Sequence, residues 1–215
     1  MGFFSCCCSF ISAAAEAISS MATSIASKIG ETILGVLKIV SAIVETVATV
    51  LGVIRPDEKI EELGEKMLQA AEAGITMESC GNDFSKYQHE IRNFQIDPEK
   101  AQNRRLEDKL VAGIAFVDQG ISQKYPFLNM DSAYPLFAMK SDFFTAARVA
   151  SYAQTAVALQ YSFSKIKSFF DGSCSIGDKM KTEEFIYTAE SKFKPDFNLA
   201  DLEKDIADTK FTVQR

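Results

Sequence analysis

The chain has 215 residues and a mass of 23.7 kDa, enough for one ordinary domain or a small domain with an appendage. With 47% hydrophobic and 24% charged residues, and only 5 prolines and 11 glycines, it is neither a disordered chain nor a collagen-like or linker-dominated one. A net charge of −6 and a pI near 5.0 offer no basic surface to phosphates, so nucleic acid is not an expected partner.

The N-terminal sequence Met-Gly-Phe-Phe-Ser-Cys-Cys-Cys carries no Lys or Arg, and none occurs before Lys28. A conventional secretory signal needs a basic start and is therefore not expected; the expected location is membrane-associated or cytoplasmic. Gly2 resembles the acceptor of an N-myristoyl group, although Cys6 stands where Ser or Thr is usual. Cys6, Cys7 and Cys8 are candidate palmitate acceptors, and as small apolar side chains they equally suit burial. One acyl chain alone gives only marginal membrane binding. Five cysteines, three of them adjacent, imply no disulfide framework.

The next fifty residues form an apolar block. Residues 1–55 hold Glu16, Glu31 and Glu45 against Lys28, Lys38 and Arg55, so the whole acidic excess lies in residues 56–215. A mean hydropathy near zero averages two unlike segments. Ala26, Ile33, Val40, Val47 and Ile54 recur every seven residues, with Ile29, Val36, Ile43 and Val50 interleaved as in a heptad seam. Ser24, Glu31, Lys38, Glu45 and Gly52 run along the opposite line, so from Ala26 to Arg55 every charge but Lys28 and Arg55 falls on one narrow polar stripe. Leu37, Val44 and Leu51, with Ile25, Ile39 and Val53, widen the apolar face until a helix here wants cover on most of its circumference. Upstream, Ile11, Ala14, Ile18, Met21, Ile25 and Ile29 continue a helical stripe. Residues 10–54 are expected to form one rod of about 65 Å or two helices broken near Gly30.

Residues 31–54 are long enough to span a bilayer. The Ile, Leu and Val residues from Ile33 to Ile54 favour insertion by about 4 to 8 kcal/mol, while Lys38 and Glu45 oppose it by about 2.5 to 3.5 kcal/mol each, and Ser, Thr and Gly add to that. The sum lies near zero. A lone permanent span is disfavoured. An interfacial helix, an oligomer turning the charged stripe inward, or burial in protein each suits the pattern better.

Pro56, after Arg55, marks a boundary between an apolar N-terminal segment, residues 1–55, and a soluble α-helical domain, residues 56–215. Pro56 and the acids behind it predict a helix start, with Ile60, Leu63, Met67, Leu68 and Ala71 as its apolar stripe and Gly74 as its stop. Asp83 is expected to cap a helix bearing Phe84, Tyr87, Ile91 and Phe94. Asp97-Pro98-Glu99 predicts another helix start, with Leu106, Leu110, Ile114, Val117 and Ile121 carrying that helix to about Lys124. Residues 125–140, rich in aromatics and interrupted by two prolines, predict an ordered apolar connection. Ser141 or Asp142 is expected to cap a long Ala-rich helix ending at Phe170, before Asp171-Gly172. Helices over Thr182–Lys192 and Leu199–Asp208, the latter capped by Asn198, complete an all-α reading: a helical bundle with a long apolar N-terminal helix or helix pair.

Phosphate-loop, dinucleotide, zincin and EF-hand patterns do not occur. Gly172-Ser-Cys-Ser-Ile-Gly177 is one place too long for a nucleophile elbow and follows no strand, so Cys174 reads as a loop thiol, and Cys80 likewise. His89 reads as an exposed or hydrogen-bonded histidine. Glu61 with Glu65, and Glu183 with Glu184, read as surface charge, and Lys100, Arg104 and Arg105 as a solvated basic patch. No cofactor and no metal site is expected, nor catalysis. The expected role is a non-enzymatic, membrane-acting or pore-forming effector-like protein that binds lipid or its own copies through Ile29, Ile33, Val36, Val40, Ile43, Val47, Val50 and Ile54. The alternative is a soluble structural or interaction subunit, in which helix 26–54 joins copies of itself or a helical partner in a multi-helix oligomer.

Overall fold

A glycine in the left-handed region decides how the N-terminal segment is divided. In the computed structural model, which describes residues 9–210, α1 (Ser9–Ile29) ends at Gly30, whose φ is +70°. The amide of Glu31 donates to the carbonyl of Ala26 at 3.1 Å, closing the wide turn that left-handed C-terminal residues allow. Thr32 then starts α2 (Ile33–Val50), its hydroxyl accepting from the amide of Gly35 at 3.0 Å. The N-terminal segment is therefore a helix pair, not a single rod. At the far end of α2, Gly52 has φ +64°, and the amide of Val53 donates to Ala48 at 2.8 Å, a second stop of the same design.

Eleven α-helices and one 3₁₀ turn occur among the described residues, which contain no strand, so the protein is all-α. Two compact units are defined within the chain. The first takes residues up to Ser41 together with Ile54–Gly120, and the second takes Ala42–Val53 together with residues from Ile121 onward.

In the first unit, α1 buries Ala15, Ile18, Ala22, Ile25 and Ala26, the three-to-four spacing of one helical face. The helix expected at Pro56 begins only at Ile60, as α3 (Ile60–Glu72). The reason lies in Glu58. Its carboxylate accepts from the amide of Arg55 at 2.7 Å and from Nε and Nη2 of Arg92 at 2.8 and 3.1 Å, and Lys59 beyond it stays extended. Gly74 ends this helix as expected, at φ +83°. Asp83 caps α4 (Phe84–Asn93) through the amides of Ser85 and Lys86, and Asp97 caps α5 (Pro98–Asn103) through Glu99 and Lys100. The continuous helix read from Asp97 to Lys124 is two: α5 stops at Arg104, whose backbone is extended, and α6 (Leu106–Lys124) follows. Phe84 and Tyr87 meet Phe116 of α6 at 5.7 and 6.0 Å between ring centres.

Helices α3 and α6 touch backbone to backbone at two glycines. A Cβ on Gly64 would collide with the carbonyl of Lys109, and one on Gly113 with the carbonyl of Ile60. Gly→Ala inside a helix ordinarily stabilises by about 1 kcal/mol. Here the collision is with main chain, which cannot turn aside, so Gly113→Ala is expected to destabilise by about 2 kcal/mol net. Thermal or urea unfolding of the variant checks the sign.

In the second unit, residues 125–140 contain the expected apolar connection, organised as a 3₁₀ turn (Asp131–Ala133) and α7 (Tyr134–Met139). The long helix expected from residue 141 to Phe170 is broken. Thr145, not Ser141 or Asp142, caps α8 (Ala146–Leu159), and Gln160 at φ +51° turns the chain into α9 (Phe163–Phe170), capped by Ser162. At the break the Tyr161 ring stacks on Phe185, centres 4.5 Å apart, and its hydroxyl meets Thr182 Oγ1 at 2.6 Å. Phe137, Phe143, Phe144, Phe163 and Phe170 form the aromatic core of this unit, with neighbouring ring centres 4.8 to 5.6 Å apart. Ser175 starts α10 (Ile176–Phe193) earlier than the expected Thr182, and Asn198 caps α11 (Leu199–Thr209) as expected.

Candidate functional site

The heptad positions divide by depth. Val36, Val40, Ile43, Val47 and Ile54 are buried in the protein, whereas Ile29, Ile33 and Val50 at the ends of the seam are 38%, 42% and 42% exposed. Glu31 and Lys38 of the polar stripe face solvent, and Glu45 is half-buried. The neighbouring residues Leu37, Val44, Ala48, Leu51 and Val53 are also buried, so α2 is covered on far more than a two-helix seam. By length and composition α2 is the one helix among the described residues able to cross a membrane, and 44% of it is buried. A core helix and a membrane span satisfy the same composition. Gly2, Cys6, Cys7 and Cys8 lie outside the described residues.

The C-terminus of α2 is closed by a cation. Lys124 Nζ donates to the carbonyls of Leu51 and Gly52 at 2.8 and 3.1 Å, and the Tyr125 hydroxyl donates to Leu51 at 3.3 Å. The last carbonyls of a helix have no partners within it and carry the negative end of its dipole, so an ammonium group placed there holds that end down. A Cβ added at Gly30, before the other end of α2, would meet nothing within 4 Å.

Two charge clusters lie deeper. In the first unit Glu65 is almost fully buried, where sequence reading put surface charge. Arg104 Nε donates to Glu65 Oε1 at 3.1 Å and Arg104 Nη2 to Glu72 Oε1 at 2.6 Å, while Lys100 Nζ bonds Glu72 Oε2 at 2.9 Å. Arg104 is thus not part of a solvated patch, although Arg105 is. Gln69 bonds Glu65 and exchanges two hydrogen bonds with the backbone of Asp97. The hydrogen bonds from Arg104, then from Lys100, hold the Glu72 carboxyl below its ordinary value. Stability from that pairing is complete above the unfolded carboxylate value and is lost as pH falls through the lowered one. A cleft of about 690 Å³ opens beside these groups, lined by Leu68, Glu72, Asp97, Lys100, Arg104 and Asp108. Its cationic walls are engaged by carboxylates of the same unit.

In the second unit Arg148 of α8 and Glu190 of α10 form a buried pair, with Arg148 Nε 2.8 Å from Glu190 Oε1. Arg148 also donates to the Phe143 carbonyl at 2.9 Å and lies 4.1 Å above the Phe143 ring. The Tyr152 hydroxyl donates to Glu190 at 2.7 Å. Burial first, and the Glu190 carboxylate second, push the Tyr152 phenol well above its ordinary value, so it stays a donor. Sequence periodicity gives no sign of either cluster, because each joins residues roughly 40 positions apart with no local pattern.

His89 is exposed and meets Asn93 through Nε2 at 3.0 Å, and Cys80 and Cys174 are free and half-buried, all as expected. No protein-family model, curated protein or solved structure matches this chain.

Proposed function

We propose that this is a non-enzymatic helical protein that binds membranes through α1 and α2, with α2 stowed in solution and released at a bilayer. The observation that carries this reading is the state of α2. It has the length and apolarity of a span, its central seam is buried, and its two ends leave Ile33 and Val50 at the surface. Insertion of this helix from water is close to neutral in free energy, because the apolar gain is offset by Lys38, Glu45 and the polar residues between them. A helix so balanced changes partner when hydrocarbon becomes available, and only the difference in affinity between its two environments sets the population. After release, self-association would let Glu31, Lys38 and Glu45 face water or sister copies instead of lipid, which is the arrangement a pore requires.

Flotation of the full-length protein with phosphatidylcholine vesicles tests this. The protein is expected to float in part, and a protein found wholly in the lipid-free fraction contradicts the reading. Lys124→Met removes the cation from the end of α2 while sparing the apolar seam. It is expected to raise the floating fraction about threefold, a modest factor because Lys124 is exposed.

The alternative of a lipid-free oligomer is favoured by the exposed Ile29, Ile33 and Val50 alone. Val36, Val40, Ile43 and Val47 are not available to a second copy in this conformation. Light scattering in plain buffer separates the two readings: a monomer supports stowage, and a defined oligomer supports the interaction subunit.

A further inference from the structure

We infer that α10 is an interaction surface for a second copy of this chain, laid antiparallel against it about a two-fold axis. The inference does not depend on the membrane reading and concerns a different face of the protein. Helix α10 (Ile176–Phe193) carries apolar side chains on two opposite faces. Phe185, Ile186 and Ala189 are buried, whereas Ile176 and Met180, one turn apart, are 85% and 69% exposed, more than any other large apolar side chain among the described residues. On the outward face Gly177, Met180, Glu184, Tyr187 and Ser191 follow one another at alternating three- and four-residue steps, the spacing of a helix–helix seam. An open groove of about 780 Å³ runs along them, and every described residue that lines it belongs to α10. The groove has one wall and room for a helix as the other.

The order of charges along the groove selects the occupant. Lys181 precedes Glu183 and Glu184, and all three line it. A parallel copy would set lysine beside lysine and glutamate beside glutamate. An antiparallel copy, centred near Thr182, brings Lys181 of each chain beside Glu183 and Glu184 of the other, twice over by symmetry. The same register sets Tyr187 of one copy over Gly177 of the other. Glycine is disfavoured inside a helix, yet Gly177 is not left-handed and a Cβ there would meet nothing within 4 Å, so the fold itself does not require it. In the pair, the missing side chain leaves room for the Tyr187 ring, with the exposed Ile176 beside it. Two helices of 18 residues, each about 27 Å long, bury less than the roughly 1,200 Å² of a standard interface, so pairing is weak, with a Kd of about 10 to 100 µM. Light scattering at about 1 µM therefore still reports on α2 alone.

Sedimentation equilibrium of the full-length protein in reducing buffer, from about 5 to about 500 µM, is expected to show a monomer–dimer equilibrium. Lys181→Glu alone, and Glu183→Lys with Glu184→Lys, are each expected to raise Kd at least about tenfold, because like charges then face one another. Mixing the two variants in equal amounts is expected to restore a dimer about as tight as the original, since unlike charges meet again across the antiparallel pair. Gly177→Gln improves helix propensity at an exposed position, so the fold is preserved. It is expected to weaken pairing at least about tenfold, by filling the space of the Tyr187 ring. A protein still monomeric at about 500 µM overturns the inference. So does a dimer that none of these variants weakens, which places association on another surface. Variants that lose pairing separately and do not regain it on mixing overturn the antiparallel arrangement.

Discussion

Val40→Asp is expected to destabilise the protein by about 4 kcal/mol or more, lowering its thermal midpoint by about 10 °C or more. Val40 has no exposed surface, and Val36, Leu37, Val44 and Val47 around it on the same helix are equally covered. A carboxylate there must either remain charged out of reach of water or take up a proton, and both cost most of the stability of a typical domain. Lys38→Leu, two residues away on the same helix, lies in solvent and is expected to change stability by less than about 0.5 kcal/mol. The contrast separates a stowed helix from one already facing outward. If α2 presented its seam to solvent or to a sister copy, Val40→Asp would leave the monomer as stable as before. Circular dichroism melts of the two variants decide between these outcomes.

Glu190→Gln is expected to cost about 3 kcal/mol, through a different mechanism. Arg148 is mostly buried between α8 and α10, above the Phe143 ring and 5.4 Å from the Phe193 ring. The amide keeps the volume of the carboxylate and can still accept from Tyr152, but it removes the charge that Arg148 faces. The cost is that of a buried guanidinium left without a counter-ion, not the worth of the pair. Arg148→Met combined with Glu190→Leu is therefore expected to recover most of the loss, and a double-mutant cycle measured by urea unfolding reads the coupling directly.

Several helix ends fixed by local chemistry were legible in the sequence, though the caps Thr145, Ser162 and Ser175 were not. Asp83, Asp97 and Asn198 cap the helices their positions predict, because a side-chain oxygen two or three residues before an orphan amide acts within a single turn. Gly30 and Gly74 stop helices because a left-handed residue is most easily a glycine. The break at Gln160 was hidden for the same reason. It uses a left-handed residue that is not glycine, held by the stacking of Tyr161 on Phe185, a ring 24 positions away. Arg104 ended α5 unannounced because its reason to leave the helix is an ion pair with Glu65 and Glu72. Heptad spacing identified the apolar face of α2, but periodicity carries no information on what lies against that face. Burial of Glu65 and Glu190 was illegible on the same grounds, since a charged residue is buried only when a distant partner comes to meet it.

The proposed stowage and release of α2 can be tested with a single fluorophore. The chain contains no tryptophan, so Val50→Trp, at an exposed position near the end of α2, gives one emission signal. In buffer that indole is expected to emit at long wavelength and to be quenched by iodide. On addition of phosphatidylcholine vesicles, emission is predicted to move to shorter wavelength and iodide to lose its access, as the helix end passes from water into hydrocarbon. Emission and quenching that remain unchanged in a large excess of vesicles would contradict the account, leaving α2 as a core helix and nothing more.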